Sequence, residues 1–398
     1  VSGWFADRFG IRKVYLAAIT IFTIGSLLCA LSQSLTFVVI SRVIQGIGGS
    51  MLLPIGRLAV IRAFPGDKFI GALSFVAVPA LIAPLVGPSL GGWIVEYSSW
   101  HWIFLVNIPI GIAGCIATYK AMPEDDSIYK SNFDVIGFLL LAFFMVSTSV
   151  SLDSLSGHQM PYAVVVIILV FGFASLAAYF LHISKHTDSF FSLKLFKVRT
   201  YSIGILGNLF SRIGTSSMPF LIPLYLQVSL GMSPLIAGLF MLPVTVAAIL
   251  GKQFVAPLIE YAGYKKFLLI NTLLVSLSMA GISLMDESTS ATVRIVLLFI
   301  FGSVNSMQFT AMNTLTLKDL DRRSSTGGNT LFSMVQMLAM SFGVATASAV
   351  LSTFAYYFGS AESKQAFQFT FLCMGALTCI SMCIFSQLSA NTTEAPKT

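Results

Sequence analysis

Two arginines stand inside long apolar stretches of the sequence, where charged residues are rare. Arg42 lies about 7 residues into one apolar run and Arg212 about 12 residues into another, so at about 1.5 Å per residue Arg212 should lie near mid-membrane. A guanidinium near the bilayer centre costs at least about 2.5–3.5 kcal/mol, so each side chain should face protein and a polar partner. Gln45, Gly46 and Gly49 share the helix face of Arg42.

The partner of Arg212 is open on sequence grounds. No Asp or Glu occurs in the middle of any predicted helix. Two arginines without an acid would form a positive cavity suited to an anionic substrate. Alternatively, Arg212 pairs with polar groups such as Asn208 or Asn305. Both interpretations remain open at this point.

The elements that position these residues follow from composition. The chain has 398 residues, of which 56% are hydrophobic and only 10% are charged, whereas soluble domains carry about 25% charged residues. Because a bilayer core needs roughly 20 apolar residues per helix, the fold class is an all-α polytopic membrane protein. Apolar runs predict twelve helices, at 14–32, 35–60, 70–95, 100–119, 134–152, 161–182, 200–227, 233–251, 267–285, 293–315, 328–356 and 366–387.

Basic residues orient this bundle. Alternate connections are rich in Lys and Arg, whereas the others contribute only Lys364, with Arg294 just inside the next helix. The positive-inside rule then places both ends of the chain in the cytoplasm. The net charge of +7 reflects loops that face anionic lipid headgroups and needs no nucleic-acid partner. Residues 190–200 alternate apolar and basic side chains, which predicts a segment along the membrane surface.

Catalytic and metal-binding signatures are missing from the sequence. It has no P-loop, no GxSxG, no HExxH and no paired carboxylates within the predicted helices, so we predict that it is not an enzyme. The five cysteines stand in apolar runs without partners at metal-ligand spacing, and His182 and His186, one turn apart, favour an interfacial role. We therefore predict no metal site.

A short charged stretch near the start of the chain resembles a family motif. Residues 3–13, GWFADRFGIRK, resemble the cytoplasmic motif A of the major facilitator superfamily, through Gly3, Asp7, Arg8, Gly10, Arg12 and Lys13. A decayed second copy occupies 256–266. Motif A follows the second helix in that family, and eight predicted helices separate the two copies. This resembles the fourteen-helix drug:proton antiporter branch, with twelve of the fourteen helices present and the first two lacking.

Two further stretches carry the same resemblance. SRVIQGIGGS (41–50) is similar to motif B, through Arg42, Gln45, Gly46 and Gly48, and APLVGPSLGG (83–92) is similar to the antiporter motif C, through Gly87, Pro88, Gly91 and Gly92. Gly87 and Gly91 form a small-xxx-small pair that predicts close helix approach. Pro84 and Pro88 remove backbone donors and predict a bend.

The resemblance implies roles for these residues. Asp7 would latch a gate by contacting a helix N-terminus in one conformation; otherwise motif A is simply a positive inside loop. Arg42 would take part in proton coupling by tuning a neighbouring carboxylate, since an arginine does not itself deprotonate; otherwise it anchors hydrogen bonds between helices. The implied organisation is a helical bundle over 1–121, two linker helices and an interfacial segment over 122–199, and a six-helix bundle over 200–398.

The expected function is secondary active transport. The resemblance implies proton-coupled efflux of small molecules, as in multidrug antiporters, across the bacterial inner membrane, driven by the proton gradient without a cofactor. The expected partners are a small-molecule substrate and the lipid bilayer, and no oligomeric state is predicted. The arginines favour an alternative, an exporter of an anionic metabolite or a metal chelate such as a carboxylate complex. A second alternative is an inactive truncated fragment, since four of six N-terminal helices are present.

Overall fold

The structure of the protein, a computed structural model, describes residues 2–63, 86–122, 134–157, 160–185, 193–320, 325–360 and 363–389. The regular structure in these ranges is helical, without a β-strand. Ala83 and Pro84 of motif C lie outside the described residues. The bend predicted at Pro84 therefore also lies outside the described residues.

Within the described ranges, eight helices precede residue 186. They are α1 (Ser2–Phe9), α2 (Ile11–Ala30), α3 (Leu35–Ala63), α4 (86–97), α5 (His101–Leu105), α6 (Asn107–Ala121), α7 (Val135–Gly157) and α8 (Tyr162–Lys185). The remaining eight follow a short 3₁₀ helix, Leu193–Lys197. They are α9 (Arg199–Thr215), α10 (Met218–Leu224), α11 (Pro234–Phe240), α12 (Leu242–Lys252), α13 (Val255–Ser283), α14 (Ala291–Leu317), α15 (Ser325–Tyr357) and α16 (Lys364–Phe385).

The membrane character of these helices is clear from their length and surface. Within the described ranges, nine helical segments have at least 18 residues and are apolar enough to cross a bilayer. Each of the twelve predicted spans contains described helical residues, and many large apolar side chains on these helices are exposed, as expected for surfaces that face lipid. The predicted class, an all-α polytopic membrane protein, is confirmed.

The chain divides into two compact units. The N-terminal unit comprises Val1–Phe133 with Ser233–Gly238, and the C-terminal unit comprises Asp134–Met232 with Leu239–Thr398. The two helices predicted as a linker, α7 and α8, thus belong to the C-terminal unit.

The α7–α8 hairpin is closed by polar contacts. Asp134 caps α7, because its Oδ1 accepts the N–H of Gly137 at 2.8 Å, and the same oxygen lies 2.8 Å from His182 Nε2. The hairpin packs on α15, where Ser149 and Ser341 share a hydrogen bond of 3.0 Å. His182 therefore joins two helices; the interfacial role predicted for it stays a prediction, and His186 lies outside the described residues.

Both copies of motif A contain the same backbone break. The stretches predicted as loops are helical up to a glycine of positive φ, Gly10 (φ 85°, ψ 143°) and Gly263 (φ 73°, ψ 157°), where a Cβ is strained. A membrane helix then starts at the next residue, earlier than the predicted starts at 14 and 267. The positions −4, +1 and +4 from each glycine are buried in a core cluster, Ala6, Ile11 and Val14 in one copy and Ile259, Tyr264 and Phe267 in the other.

The predicted span 200–227 is not one continuous helix. The chain turns at Ser216 and Ser217, between α9 and α10, and ends in one π-helical turn at Tyr225–Ser229. Pro219 explains the first break, because it has no N–H to donate to the preceding turn. The break comes one turn after Arg212 and separates it from the rest of the span.

The turn between α13 and α14 is held by charged groups. Asp286 accepts hydrogen bonds from Ser288 Oγ (2.6 Å) and Thr289 Oγ1 (2.9 Å), and Lys364 Nζ lies 3.4 Å from its other oxygen. These hydrogen bonds, and then Lys364, hold the pKa of the Asp286 carboxyl well below its ordinary value. The buried Arg294 donates to the carbonyl of Asp286 at 2.7 Å.

This arrangement predicts an acid-sensitive turn. The pKa of the Asp286 carboxyl is about 3.9 in the unfolded chain and lower in the folded protein. The ionised carboxyl therefore stabilises the fold above about pH 3.9, and this stabilisation is lost as the pH falls through the folded-state pKa. Asp286→Asn should therefore lower the melting temperature in detergent at about pH 6, and its difference from wild type should shrink towards about pH 3. Glu287→Gln, at the exposed neighbour, serves as the control. A difference for Asp286→Asn that does not change with pH would contradict this account.

Candidate functional site

Motif A is a helix packed on the N-terminal unit. Gly3, Asp7 and Arg8 lie on α1, where Asp7 is half-buried and Arg8 is exposed with its guanidinium 5.3 Å from the ring of Trp4. The break at Gly10 then turns the chain into α2. The prediction of a loop is wrong at this point, since residues 2–9 are helical; the latch role of Asp7 stays a prediction.

Arg12 ties motif A to the end of α6. Its Nη2 donates to the carbonyl of Tyr119 at 2.6 Å, and its guanidinium lies 4.8 Å from the ring of the same residue. A cation near a helix C-terminus gains about 0.3–1 kcal/mol from the helix dipole. Lys13, the next residue, is exposed. Arg12 therefore contributes to holding α2 against α6.

Arg42 begins a chain of hydrogen bonds in the N-terminal unit. Its Nη1 donates to Gln45 Oε1 at 2.8 Å, Gln45 Nε2 donates to Ser26 Oγ at 2.6 Å, and Asn107 Nδ2 lies 3.4 Å from the same hydroxyl. These contacts link α3, α2 and α6. The guanidinium also lies 5.1 Å from the ring of Phe104. Among the described residues no carboxylate is bonded to Arg42, so the geometry matches the hydrogen-bond anchor; a role in proton coupling stays a prediction.

Close approach of α2 and α3 depends on glycines other than Gly46. A Cβ built on Gly25 would lie 2.5 Å from the backbone N of Gln45, and one on Gly48 would lie 2.6 Å from the carbonyl of Ala18. No described atom lies within 4 Å of a Cβ on Gly46, which is exposed. Gly48 is therefore the motif B glycine that sets the helix distance.

In motif C, too, the close contact lies at a glycine other than those predicted. Pro88, Gly87 and Gly91 lie on α4, but no described atom comes within 4 Å of a Cβ on either glycine. A Cβ on Gly92 would instead lie 2.8 Å from the carbonyl carbon of Pro234. Among the described residues the close approach is therefore made by Gly92 and not by the 87/91 pair. The close approach predicted for that pair stays a prediction.

Arg212 lies against an aromatic ring in the C-terminal unit. Its guanidinium carbon is 4.2 Å from the centre of the Phe309 ring on α14, the shortest such distance among the described cation–aromatic pairs. No hydrogen bond joins it to Asn208 or Asn305, so the pairing left open by the sequence is not found. Its Nε is buried without a partner. Phe309 is the neighbour that the sequence analysis missed.

Unpartnered polar atoms surround this arginine on α9. Both amide atoms of Asn208 and the hydroxyl of Ser211 are fully buried and have no hydrogen-bond partner. A buried polar group left unpaired costs about 1–3 kcal/mol, and such groups in a native protein call for an explanation. Asn208 is one turn before Arg212, so the two are neighbours on one face of the helix.

On the facing helix α14, two asparagines share the face of Phe309. Asn305, Phe309 and Asn313 recur every four residues. The amide of Gln336 on α15 donates to Asn313 at 2.8 Å. Asn305 is half-buried. This spacing within an apolar helix is the sequence signal that could have identified Phe309, because residues four apart share a face.

The described residues offer no grouping for a metal. Within the described ranges, no three His, Cys, Asp or Glu residues lie close enough together to hold an ion, and all five cysteines are free. Arginine, amide and aromatic side chains make the site one for recognition by hydrogen bonds and ring contacts.

Comparison with protein families gives a match that covers most of the chain. The Major Facilitator Superfamily matches residues 1–344. A Serratia proteamaculans protein named for multidrug resistance, MdtD, is 42% identical over 395 residues, which are 98% of this chain and 83% of that protein. A Pectobacterium carotovorum protein of the same name is 41% identical over 394 residues, or 98% and 84% of the two chains.

Solved structures agree on the fold. A variant of the nucleoside transporter NupG aligns with a TM-score of 0.69 at 11% identity, covering 96% of this chain and 85% of that one. A POT family transporter solved with 5-aminolevulinic acid aligns with a TM-score of 0.65 at 17% identity, covering 96% and 82%. Helix content, apolar spans, family match and relatives are consistent with one another: the chain belongs to the major facilitator superfamily and is a multi-pass membrane transporter rather than an enzyme.

Proposed function

We propose that the chain exports small amphipathic molecules across the bacterial inner membrane in exchange for protons, without a cofactor. The names of its relatives, which refer to multidrug resistance, and the similarity of residues 83–92 to the antiporter motif C support this. The concentration of Lys and Arg in alternate connections supports a cytoplasmic C-terminus.

One observation carries the proposal. Arg212 places a guanidinium inside an apolar helical unit, against the ring of Phe309 and beside the unpartnered amide of Asn208. An aromatic surface with a few convergent polar groups is the usual composition of a small-molecule site. Such a site would take molecules with a planar apolar body and hydrogen-bonding groups at its edge.

Proteoliposomes containing the purified full chain provide the test. Two xanthene dyes of opposite charge serve as probes, fluorescein and tetramethylrhodamine ethyl ester. An acidic interior should drive dye accumulation above that of protein-free vesicles, and a protonophore should abolish the excess. Accumulation that is the same with and without the pH gradient would contradict proton exchange. Vesicles that never exceed the protein-free control would contradict transport of these molecules.

A second candidate, export of an anionic metabolite or metal chelate, is favoured by the distribution of charge. Within the described ranges, the acidic residues of the helices lie near helix ends, at Asp7, Glu96, Asp153 and Glu260, whereas Arg42 lies inside α3, and Arg212, although in the last turn of α9, lies in the middle of the predicted span 200–227. An unneutralised arginine attracts carboxylates and phosphates in preference to cations. Accumulation of fluorescein without accumulation of the rhodamine ester would favour this candidate over the amphipathic-molecule proposal.

A further inference from the structure

We propose that Phe309 is a positioning residue that presents the terminal nitrogens of Arg212 to acceptor groups of the substrate. This inference rests on the proposed function, because it deepens the role of the same site. It assigns a specificity-determining role to a residue that neither the motifs nor the composition of the chain identifies.

The directions of the two helices bring these side chains together. In a helix, side chains lean towards the N-terminus. The chain runs along α9 from its first residue to Arg212 and returns along α14 to Phe309 after an even number of spans, so the helices run in opposite directions. The arginine therefore leans one way along the membrane normal and the ring leans the other way. Their centres meet at 4.2 Å, within the range of a favourable cation–π contact.

The Nε edge of the guanidinium is buried, whereas the edge with its two terminal nitrogens is not. Nε is buried and unpartnered, whereas the terminal nitrogens are not among the buried atoms, and no described residue forms a hydrogen bond with them. The centre of the Phe309 ring lies 4.2 Å from the guanidinium carbon. The planar fork of an arginine binds carboxylate or phosphate oxygens in pairs, and here no described residue occupies the terminal nitrogens with a hydrogen bond.

The neighbours of the pair make Phe309 the contact that orients the arginine. Asn208, one turn before Arg212 on α9, forms no bond with it, and neither does Asn305, one turn before Phe309 on α14. Apart from this ring, the described residues offer the guanidinium no hydrogen bond and no second ring contact. The side chain of an arginine has many rotamers, and fixing one of them before the substrate arrives lowers the cost of binding.

Three variants test the inference, with fluorescein as the probe in proteoliposomes. Phe309→Leu removes the ring but keeps an apolar side chain, and it should raise the KM for fluorescein about tenfold with little change in kcat, because an arginine no longer held by the ring must be immobilised when the substrate binds. Phe309→Tyr keeps the ring and should restore a KM close to wild type. Phe299→Leu, an exposed ring on the same helix, should leave the KM unchanged.

The outcomes separate this inference from the proposed function. If Arg212→Gln impairs fluorescein transport but Phe309→Leu keeps the wild-type KM, the inference is wrong and the site stands. If Arg212→Gln has no effect, the proposed site itself is wrong. Should Phe309→Leu fail to fold in detergent, Phe309→Tyr and Phe309→Trp decide, because both keep a ring: a KM raised tenfold in both, with unchanged melting temperature, would overturn the inference, and near-wild-type values would support it.

Discussion

Replacing Arg212 with glutamine should lower kcat/KM for fluorescein by about 10- to 100-fold while the folded protein stays as stable as wild type. Hydrogen bonds to charged groups contribute about 1.5–3 kcal/mol, and 1.4 kcal/mol corresponds to a factor of ten. Stability should be preserved because Arg212 has no hydrogen bond to any described residue, and removing its buried, unpartnered Nε offsets the loss of the ring contact with Phe309.

Initial rates of fluorescein accumulation and melting temperatures in detergent measure this prediction together. Arg212→Lys keeps the charge but loses the planar fork, so it should recover only part of the rate. Arg199→Gln, at the exposed start of the same helix, should transport like wild type. A normal rate for Arg212→Gln would remove Arg212 from the site. A lower melting temperature would show instead that the arginine is structural.

Arg212 shows how much of the candidate site can be predicted from the sequence. Its depth and the scarcity of acids identified it as unusual, because a charge within an apolar run is costly. Its neighbours were not found, because hydrogen-bonding capacity suggested Asn208 and Asn305, whereas the ring of Phe309 is the group in contact. Which residues of two distant helices meet depends on helix rotation, and composition does not determine it.

For the two copies of motif A, by contrast, the sequence did indicate the relevant local feature. The sequence indicated two related segments separated by eight predicted helices, and the structure gives both the same break at Gly10 and Gly263 and the same buried positions around it. A glycine of positive φ is a local requirement that the residue type reveals. That the flanking residues form helices was missed, because charged residues there suggested a loop.

Close contacts between helices were predicted by type but not by position. Small residues were expected where helices approach, and among the described residues such contacts occur at Gly48 and Gly92 rather than at Gly46, Gly87 or Gly91. A motif with several glycines does not show which of them faces a neighbour, since residues one position apart on a helix differ by about 100°.

Substituting Gly48 with alanine should destabilise the N-terminal unit by about 1–3 kcal/mol, the usual cost of overpacking. The new Cβ would lie 2.6 Å from the carbonyl of Ala18 and still closer to the amide nitrogen of Phe22. These atoms form one backbone hydrogen bond of α2, so neither moves without bending that helix. The same shift would move Ser26 away from Gln45 and weaken the hydrogen bonds of Arg42.

Gly46→Ala is the matched control for this prediction. Both substitutions bring the same gain in helix propensity, about 0.5–1 kcal/mol, but only the one at Gly48 meets an obstacle. Gly46→Ala should therefore leave the melting temperature in detergent unchanged or slightly higher, whereas Gly48→Ala should lower it and shorten the half-life at a fixed temperature, the appropriate measure where unfolding is irreversible. Equal melting temperatures for the two variants would mean that α2 and α3 are farther apart in the membrane than the structure places them, and that Gln45 does not reach Ser26.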